Sequence, residues 1–254
     1  MTAVYAVSDV HGYVDELRAG LEAEGLIRND RWTGRDARLW FLGDFFDRGP
    51  DGIAVLELVR ELEAASDGAV RAVIGNHEIL AMGMRMFGTM QSLATNRTFE
   101  ELWQICEGRA SDQARLTDDH VEWMRGLPML ALDSGHLLAH ADSLGYLEWG
   151  DTVEAVNEAG RASMQSTEII DWWMLWRRLT HRFAFLGADG VTAARSMLDT
   201  LGGERIVHGH TIVADLAEVP YADVTEAWSY ADGLALAIDG GIYMGGPCLV
   251  TRLV

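Results

Sequence analysis

Short apolar runs alternate with amphipathic segments through the first third of the chain. Alternating or continuous apolar residues predict β-strands at 3–8, 36–42 and 70–74. Between them, apolar residues recur at helical spacing over 15–24 and 52–64, which predicts two amphipathic helices. This order is typical of parallel strands joined by right-handed crossovers, so the first part of the fold is predicted to be α/β.

The remaining chain is predicted to combine helical insertions with a second sheet. Segments 79–126 and 152–200 carry apolar and charged residues at helical spacing. Short β-like runs predict further strands at 129–133, 136–139, 204–207, 212–219, 234–238 and 248–253. We expect the last four of these runs, which lie in the C-terminal part of the chain, to form a second, mainly antiparallel sheet. Because no low-complexity linker or repeat divides the chain, the prediction is one domain over 1–254: an α/β fold of two packed mixed β-sheets, a β-sandwich, flanked by helices and carrying helical insertions.

Polar motifs rich in Asp, His, Asn and Arg follow or end five of the predicted strands. They are Asp9-Val10-His11-Gly12, Gly43-Asp44-Phe45-Phe46-Asp47-Arg48-Gly49, Gly75-Asn76-His77-Glu78, Ala139-His140-Ala141 and Gly209-His210-Thr211. Their oxygen and imidazole donors suit divalent metals such as Mn, Fe, Ni, Co or Zn. The first three motifs are spaced by about one βαβ unit of roughly 30 residues. They therefore fall at the carboxyl ends of neighbouring strands, where open α/β sheets collect their sites.

Each of the first three motifs also has a structural interpretation. Asp9 and His11 lie two residues apart, so both could reach one metal, although Asp and Gly are also common in turns. Asp44 could bridge two metals through its two carboxylate oxygens, or form a local ion pair with Arg48 in a surface turn. Asn76 could supply a neutral oxygen ligand or cap the following helix.

The histidines divide into a predicted proton donor and predicted ligands. His77 could protonate a leaving oxygen, with Asp47 as the carboxylate that fixes its tautomer. His140 and His210 each follow an apolar run. One such histidine is more often a hydrogen-bonded core residue, but two of them after three ligand-rich motifs favour metal binding. Secondary candidates on the same strand faces are His136 and His208.

Composition narrows the class of substrate and the compartment. A net charge of −19 disfavours long nucleic acids, because binding to them depends on cations that neutralise phosphates. All 20 basic residues are Arg, so any side chain that holds a phosphate by its positive charge is an arginine. No apolar run approaches the ~18 residues of a membrane helix, and the first residues lack the features of a signal peptide. With only Cys106 and Cys248, we expect a cytoplasmic protein without a membrane partner.

The ordered motif set resembles the calcineurin-like metallophosphoesterases from Asp9 to the C-terminus. Asp47-Arg48-Gly49 and Gly75-Asn76-His77-Glu78 are similar to the phosphoprotein phosphatase branch, which includes bacterial Ser/Thr phosphatases and symmetrical dinucleoside tetraphosphatases. The resemblance implies a first metal held by Asp9, His11 and Asp44. It implies a second metal held by Asp44, Asn76, His140 and His210. It also implies that His77 is a general acid paired to Asp47 and that Arg48 binds the phosphate.

A tryptophan-rich stretch supplies one more implied residue. Trp176-Arg177-Arg178 is similar to the Trp-x-Arg of this branch that brings a second phosphate-binding arginine, which selects Arg178, with Arg177 in reserve. Alternatively, the tryptophans belong to the core and the arginines to a solvated helix end. The sequence departs from the family pattern at Ile212, where the superfamily often has another histidine. It also departs at Asp142, where the branch usually has glycine; we expect Asp142 to alter the loop or to add a carboxylate near the metals.

These residues predict a two-metal phosphoesterase that hydrolyses phosphomonoesters by direct attack of a metal-bound water. Mn is the favoured metal, with Fe, Ni, Co and Zn as alternatives. The expected substrate is a phosphorylated protein or a small phosphoester, as for a Ser/Thr phosphoprotein phosphatase. Two alternatives stay open: a symmetrical hydrolase of dinucleoside polyphosphates, which would release nucleoside diphosphates, and a catalytically silent metal-binding interaction module.

Overall fold

Two β-sheets pack face to face in the computed structural model, which describes residues 2–93 and 95–254. In chain order the strands are Ala3–Val7 (β1), Ile27–Arg28 (β2), Arg31–Trp32 (β3), Ala37–Phe41 (β4), Val70–Ala72 (β5), Leu130–Asp133 (β6), His136–Ala139 (β7), Arg205–Ile212 (β8), Trp228–Tyr230 (β9), Ala235–Asp239 (β10) and Thr251–Arg252 (β11). The first sheet has the order β11-β1-β4-β5, and the second has the order β6-β7-β8-β10-β9. Strands β2 and β3 form a separate hairpin.

Helices surround the two sheets and fill the predicted insertions. In chain order they are Val14–Ala23 (α1), Gly52–Ala65 (α2), Asn76–Phe87 (α3), Phe99–Ile105 (α4), Ala110–Arg115 (α5), Asp118–Gly126 (α6), Val153–Gln165 (α7), Ile169–Thr180 (α8), Gly190–Leu201 (α9) and Val213–Ala217 (α10). Across residues 2–93 and 95–254, no helix combines the length and the apolar character needed to cross a bilayer.

The strands are apolar on both faces, because one face meets the other sheet and the other meets helices. Val4 and Ala6 of β1 join an apolar cluster that also contains Val207 of β8, so this cluster lies between the sheets. Their neighbours Tyr5 and Val7 point to the opposite face and join the larger core that contains the helices. This double burial is typical of parallel strands covered on both sides.

The predicted α/β sandwich with helical insertions is confirmed. The strand pairing in the second sheet differs from the prediction. The sheet is mixed: β7, β8 and β10 are parallel, while β6 and β9 pair antiparallel at the edges. The long helical connection between β7 and β8 permits the parallel pairing, which a short hairpin could not make.

The predicted strand at 212–219 is wrong. Ile212 ends β8, and α10 follows at once because a short apolar run can serve as a helix or a strand. The predicted strand at 248–253 is shorter than expected, and only Thr251–Arg252 pairs with β1.

Candidate metal centre

Two groups of buried side chains meet beyond the carboxyl ends of the strands. In each group, one ligand atom per residue lies within 4.8 Å of the others. The groups are Asp9, Asp44, His140 and His210, and His11, Asp44 and His77. Asp44 belongs to both, so its position fits a carboxylate that bridges two metals.

The two oxygens of Asp44 face different histidines. Oδ1 lies 3.4 Å from Nε2 of His140, and Oδ2 lies 3.7 Å from Nε2 of His11. Burial, together with the nearby carboxylates of Asp9 and Glu78, raises the pKa of Asp44 well above its ordinary range. A buried carboxylate among other carboxylates requires a cation to remain ionised, and a metal between these donors would supply it.

Asp9 remains acidic in the same surroundings. Burial alone would raise its pKa, but the neighbouring His140 and His11 lower it, as do hydrogen bonds from Ser8 and from the backbone N–H of His210. Asp9 is therefore the carboxylate of the pair that carries its charge more readily, and Asp44 depends more on a bound cation.

Backbone carbonyls set the tautomers of two histidines. His11 Nδ1 lies 2.7 Å from the carbonyl oxygen of Phe46, and His140 Nδ1 lies 2.7 Å from that of Leu42. A carbonyl can only accept, so each Nδ1 carries a proton and each Nε2 presents a lone pair to the centre. Burial lowers the pKa of both histidines, which keeps them in the neutral form that binds metals.

Asn76 adds a neutral oxygen beside one of these lone pairs. Its Oδ1 lies 2.8 Å from Nε2 of His140. Because that nitrogen is deprotonated, both atoms are acceptors, and a cation is the partner that satisfies both. The donor set of carboxylate, amide oxygen and imidazole therefore fits two metals of the kind that the sequence predicts.

Several non-glycine residues of the site have left-handed backbone conformations, which L-residues rarely adopt. The φ values are 52° for Asp9, 47° for His11, 59° for Asp44, 68° for Asp47, 64° for Arg48 and 62° for His210. Each such residue costs about 1–2 kcal/mol. The surrounding structure must therefore hold these loops.

Glu78 holds the loop after β4 against the start of α3. Its fully buried carboxylate accepts hydrogen bonds from the backbone N–H groups of Asp44 (2.8 Å), Phe45 (2.8 Å) and Gly75 (2.9 Å). A Cβ on Gly75 would lie 2.3 Å from Asp44 Oδ1, so this approach requires glycine. Glu78 thus does more than cap the helix, because it also fixes the backbone of the central carboxylate.

His77 is held by Asp47 and faces the same centre. Its Nδ1 lies 2.6 Å from Asp47 Oδ2, and its Nε2 lies 3.9 Å from Asp44 Oδ2. Burial raises the pKa of Asp47 to about 7, and burial together with Arg48 lowers the pKa of His77 well below its ordinary value. The arrangement leaves Nε2 available to exchange a proton with a group at the centre.

Arg48 directs its guanidinium to the centre. Its Nη1 lies 3.0 Å from His11 Nε2, and its guanidinium carbon lies 3.8 Å from the ring centroid of Tyr243. Its backbone is fixed on both sides, by a bond from its N–H to Glu107 O at 3.0 Å and by a bond from Arg109 to its carbonyl at 2.7 Å. Sequence reasoning missed Tyr243, which stands after the glycines that follow β10.

The second arginine at the centre is Arg182, not the predicted Arg178. Arg178 Nε donates to Glu148 at 2.8 Å, and its guanidinium carbon lies 5.0 Å from the ring centroid of Trp149. Arg182 lies just beyond the end of α8, and its Nε is 3.1 Å from Nε2 of His210. The feature that could have selected Arg182 is its position in a loop, whereas Arg178 lies within the last turn of α8.

Three other polar residues that the sequence singled out lie outside both ligand groups. His208 Nε2 is 2.7 Å from the hydroxyl of Tyr230, so His208 is a hydrogen-bonded core residue. His136 lies at the start of β7, at the other end of the strand from His140. Asp142 is fully buried and accepts a hydrogen bond from the backbone N–H of Phe183, so it holds a loop and supplies no ligand to either group.

The fold and this centre define an α/β sandwich that carries two adjoining groups of potential metal ligands at one edge. The sequence profile of the calcineurin-like phosphoesterases matches residues 2–214, and the chain belongs to that family.

Curated relatives share one name, symmetrical bis(5'-nucleosyl)-tetraphosphatase. The protein of Aromatoleum aromaticum is 30% identical over 142 residues, which is 56% of this chain and 45% of that protein. The protein of Nitrosospira multiformis is 31% identical over 142 residues, which is 56% of this chain and 44% of that protein. The matched part therefore spans less than half the length of these relatives.

Solved phosphatase structures share the fold over nearly the whole chain. A cold-active protein-tyrosine phosphatase of Shewanella aligns with a TM-score of 0.69 at 18% identity, covering 97% of this chain and 73% of that one. A protein serine/threonine phosphatase from Saccharomyces cerevisiae aligns with a TM-score of 0.59 at 16% identity, covering 94% and 67%. At these identities the likeness supports the fold alone.

Proposed function

We propose that this chain is a two-metal phosphomonoesterase that holds one phosphoryl group between its metals and two arginines. The observation that carries the proposal is the position of Asp44, shared by two buried ligand groups and flanked by Arg48 and the His77–Asp47 pair. The ligand sets follow the family resemblance and differ from the observed groups, in which Asp9 lies with His140 and His210, and His77 lies with His11. One metal would be held by Asp9, His11 and Asp44. The other would be held by Asp44, Asn76, His140 and His210. When bound, the metals supply Lewis acidity that lowers the pKa of the attacking water and neutralises phosphate oxygens.

Arg48 and Arg182 are the proposed phosphate ligands. Both raise the positive potential at the centre, since each lowers the pKa of the buried His77. Arg182 competes with the carbonyl of Thr180 for the same atom, Nε2 of His210, and each lies 3.1 Å from it. One nitrogen cannot accept from the guanidinium and donate to the carbonyl at once. Arg182 can therefore exchange this contact for a phosphate oxygen, which a planar guanidinium binds more strongly.

His77 is the proposed general acid. Asp47 accepts from Nδ1, so a second proton must occupy Nε2, the atom that faces the centre. Burial lowers the pKa of His77, and Arg48 lowers it further, so the imidazole would gain this second proton when the negative charge of a bound phosphate offsets both effects. Negative charge that develops on the leaving oxygen would draw that proton across, which is the behaviour required of an acid catalyst.

The proposed substrates are Ser/Thr phosphoproteins or small phosphomonoesters. Two guanidiniums offset the charge of a single phosphoryl group, whereas a tetraphosphate chain would bring further negative charge to a protein of net charge −19. The second candidate is symmetrical hydrolysis of a dinucleoside polyphosphate. It is favoured by the name that the relatives carry; the Aromatoleum aromaticum protein matches 56% of this chain. We further propose that residues 1–254 act as one cytoplasmic domain and that Mn is the working metal.

A side-by-side assay separates these substrates. The metal-stripped protein is reconstituted with Mn and given a phosphoserine peptide and a dinucleoside tetraphosphate, and the products are identified. We expect inorganic phosphate from the peptide. Nucleoside diphosphate from the second substrate alone would replace the proposal with the dinucleoside hydrolase. Full metal loading without turnover of either substrate, or of any in a panel of small phosphomonoesters, would favour the silent metal-binding module.

A further inference from the structure

Asp142 is a buried carboxylate without an ion-pair partner among residues 2–93 and 95–254. Its Oδ2 accepts the backbone N–H of Phe183 at 2.7 Å, and its Oδ1 accepts the hydroxyl of Thr211. Its own carbonyl accepts the N–H of Ala184 at 3.2 Å. Burial of a charge that only hydrogen bonds stabilise costs free energy. The groups that this carboxylate connects therefore indicate its role.

The carboxylate joins two segments that meet at the metal centre. On one side is the loop after α8, where Arg182 immediately precedes Phe183. On the other side is β8, where His210 immediately precedes Thr211. Arg182 Nε and His210 Nε2 lie 3.1 Å apart. In each segment, the residue that makes this contact directly precedes the residue that Asp142 binds.

The loop needs such a support because its backbone is strained. Phe183 has a φ of 64°, a left-handed conformation that is unfavourable for an aromatic residue, and its side chain is 46% exposed. Little packing therefore holds the side chain in place. The hydrogen bond from its N–H to the Asp142 carboxylate supports this conformation, together with backbone bonds from Ala184 to Asp142 and from Leu186 to Phe183.

We propose that Asp142 is a positioning residue for Arg182. By fixing Phe183 in its left-handed conformation and tying it to Thr211, Asp142 directs the preceding guanidinium to the phosphate that the centre binds. This inference rests on the proposed function, because it assumes a phosphate between the metals and the two arginines.

A double-mutant cycle with inorganic phosphate tests the coupling. Phosphate binding to the Mn-loaded protein is measured by titration calorimetry for Arg182→Ala, Asp142→Ala and the double variant, with metal content and thermal unfolding recorded for each. We expect Arg182→Ala to weaken phosphate binding by about tenfold or more, since a hydrogen bond to a charged group is lost. Asp142→Ala should weaken it less. In the Arg182→Ala background, Asp142→Ala should add nothing.

A double-mutant cycle of Asp142 with Arg48 is the matched control, because other contacts hold the loop of Arg48. The losses from Asp142→Ala and Arg48→Ala should multiply, as they do for independent sites. If the losses from Asp142→Ala and Arg182→Ala multiply as well, Asp142 does not act through Arg182 and the inference is wrong. If Arg48→Ala and Arg182→Ala both leave phosphate affinity unchanged, the proposed phosphate site itself is wrong, and the two failures are thereby distinguished.

Asp142→Asn separates geometry from charge. The amide oxygen can accept from Phe183 N–H, and the amide nitrogen can donate to the Thr211 hydroxyl, so this variant should retain most of the phosphate affinity. An Asn variant as impaired as the Ala variant would mean that the charge, not the hydrogen bond to the loop, is what matters. If Asp142→Ala fails to fold, Asp142→Ser takes its place, because the shorter hydroxyl can still pair with Thr211 without reaching Phe183.

Discussion

The loops that carry Arg48 and Arg182 bring two guanidiniums to the same centre by different means. The loop of residues 43–49 directly follows β4. The carboxylate of Glu78 and backbone hydrogen bonds from the neighbouring loop of residues 9–12 hold it. The loop of residues 181–184 follows a helix of the second insertion, and its contacts with another segment include hydrogen bonds to the carboxylate and the carbonyl of Asp142. The first loop is therefore held by several residues of neighbouring strand ends, whereas Asp142 makes both of these bonds to the second.

This difference indicates which parts of the site tolerate change. A loop fixed by several backbone hydrogen bonds loses little when one peripheral side chain is replaced. A loop with fewer such bonds changes its geometry more readily when a side chain that supports it is removed. We therefore expect the region around Arg182 to be the more adjustable half of the phosphate site.

Replacing Asp44, the residue common to both ligand groups, should have the largest effect on metal content and activity. In Asp44→Asn the bridging charge is lost, so we expect metal content to fall and activity to drop by more than about 100-fold, beyond the loss typical of outer-shell changes. Metal analysis and steady-state kinetics check this. Asp112→Asn is the matched control, since Asp112 is a buried carboxylate that accepts one backbone bond away from both groups. Two bound metals with full turnover in Asp44→Asn would rule out the bridging role.

His77→Asn tests the proposed proton donor, which lies beside Asp44 at the centre. On a phosphoserine peptide we expect kcat to fall by about 10²–10⁴-fold with little change in KM, because proton transfer occurs only in the transition state. An aryl phosphate with a good leaving group should lose less. Equal losses on the two substrates would argue that His77 acts as a ligand or a structural residue.

Arg48→Ala and Arg178→Ala compare an arginine at the centre with the one that the sequence selected. We expect Arg48→Ala to weaken phosphate binding by about 10- to 100-fold, as charge-assisted bonds are lost. Arg178→Ala should change it by less than about threefold, since this guanidinium, 19% exposed, pairs with Glu148. Phosphate inhibition of the Mn enzyme measures both. A loss in Arg178→Ala as large as in Arg48→Ala would restore Arg178 to the site.

A smaller loss than that of Arg48→Ala should come from removing the aromatic ring under Arg48. Tyr243→Leu removes a cation–π contact worth about 0.5–1 kcal/mol, so phosphate binding should weaken by about two- to fivefold. Tyr243→Phe keeps the ring and should match the unmodified protein. The same phosphate titration checks both variants, and a deficit in Tyr243→Phe would mean that the hydroxyl, and not the ring, serves the site.

The proximity of the polar residues that follow the first strands could be inferred from the sequence. The spacing of Asp9, Asp44 and Asn76 matches successive βαβ units, and the structure places Asp9 and Asp44 in one group with His140, whose Nε2 lies 2.8 Å from Asn76 Oδ1. A repeat of strand and helix is a local property, so its consequence for the strand ends can be inferred from the chain alone.

The position of Arg182 was not predicted, because it depends on contacts between residues that are far apart in the sequence. Asp142 and Phe183 are 41 positions apart, and no periodicity links a buried carboxylate to one backbone N–H in a loop. The Trp-x-Arg pattern selected Arg178, but an arginine in the last turn of a helix can equally pair with a neighbouring acid, as Glu148 shows. The helix α10 was missed because its five residues are too few to reveal a period.

The left-handed conformations of the site residues link the lifetime of the protein to its metal supply. Contacts such as those of Glu78 offset part of the free energy stored in those backbones, and a cation that binds the native state alone would stabilise it further by mass action. When metal is scarce, the loops after β1 and β4 should be the first segments to exchange their amide hydrogens and to admit proteases. Turnover of the polypeptide in the cell would then follow the concentration of free metal, without a separate regulator.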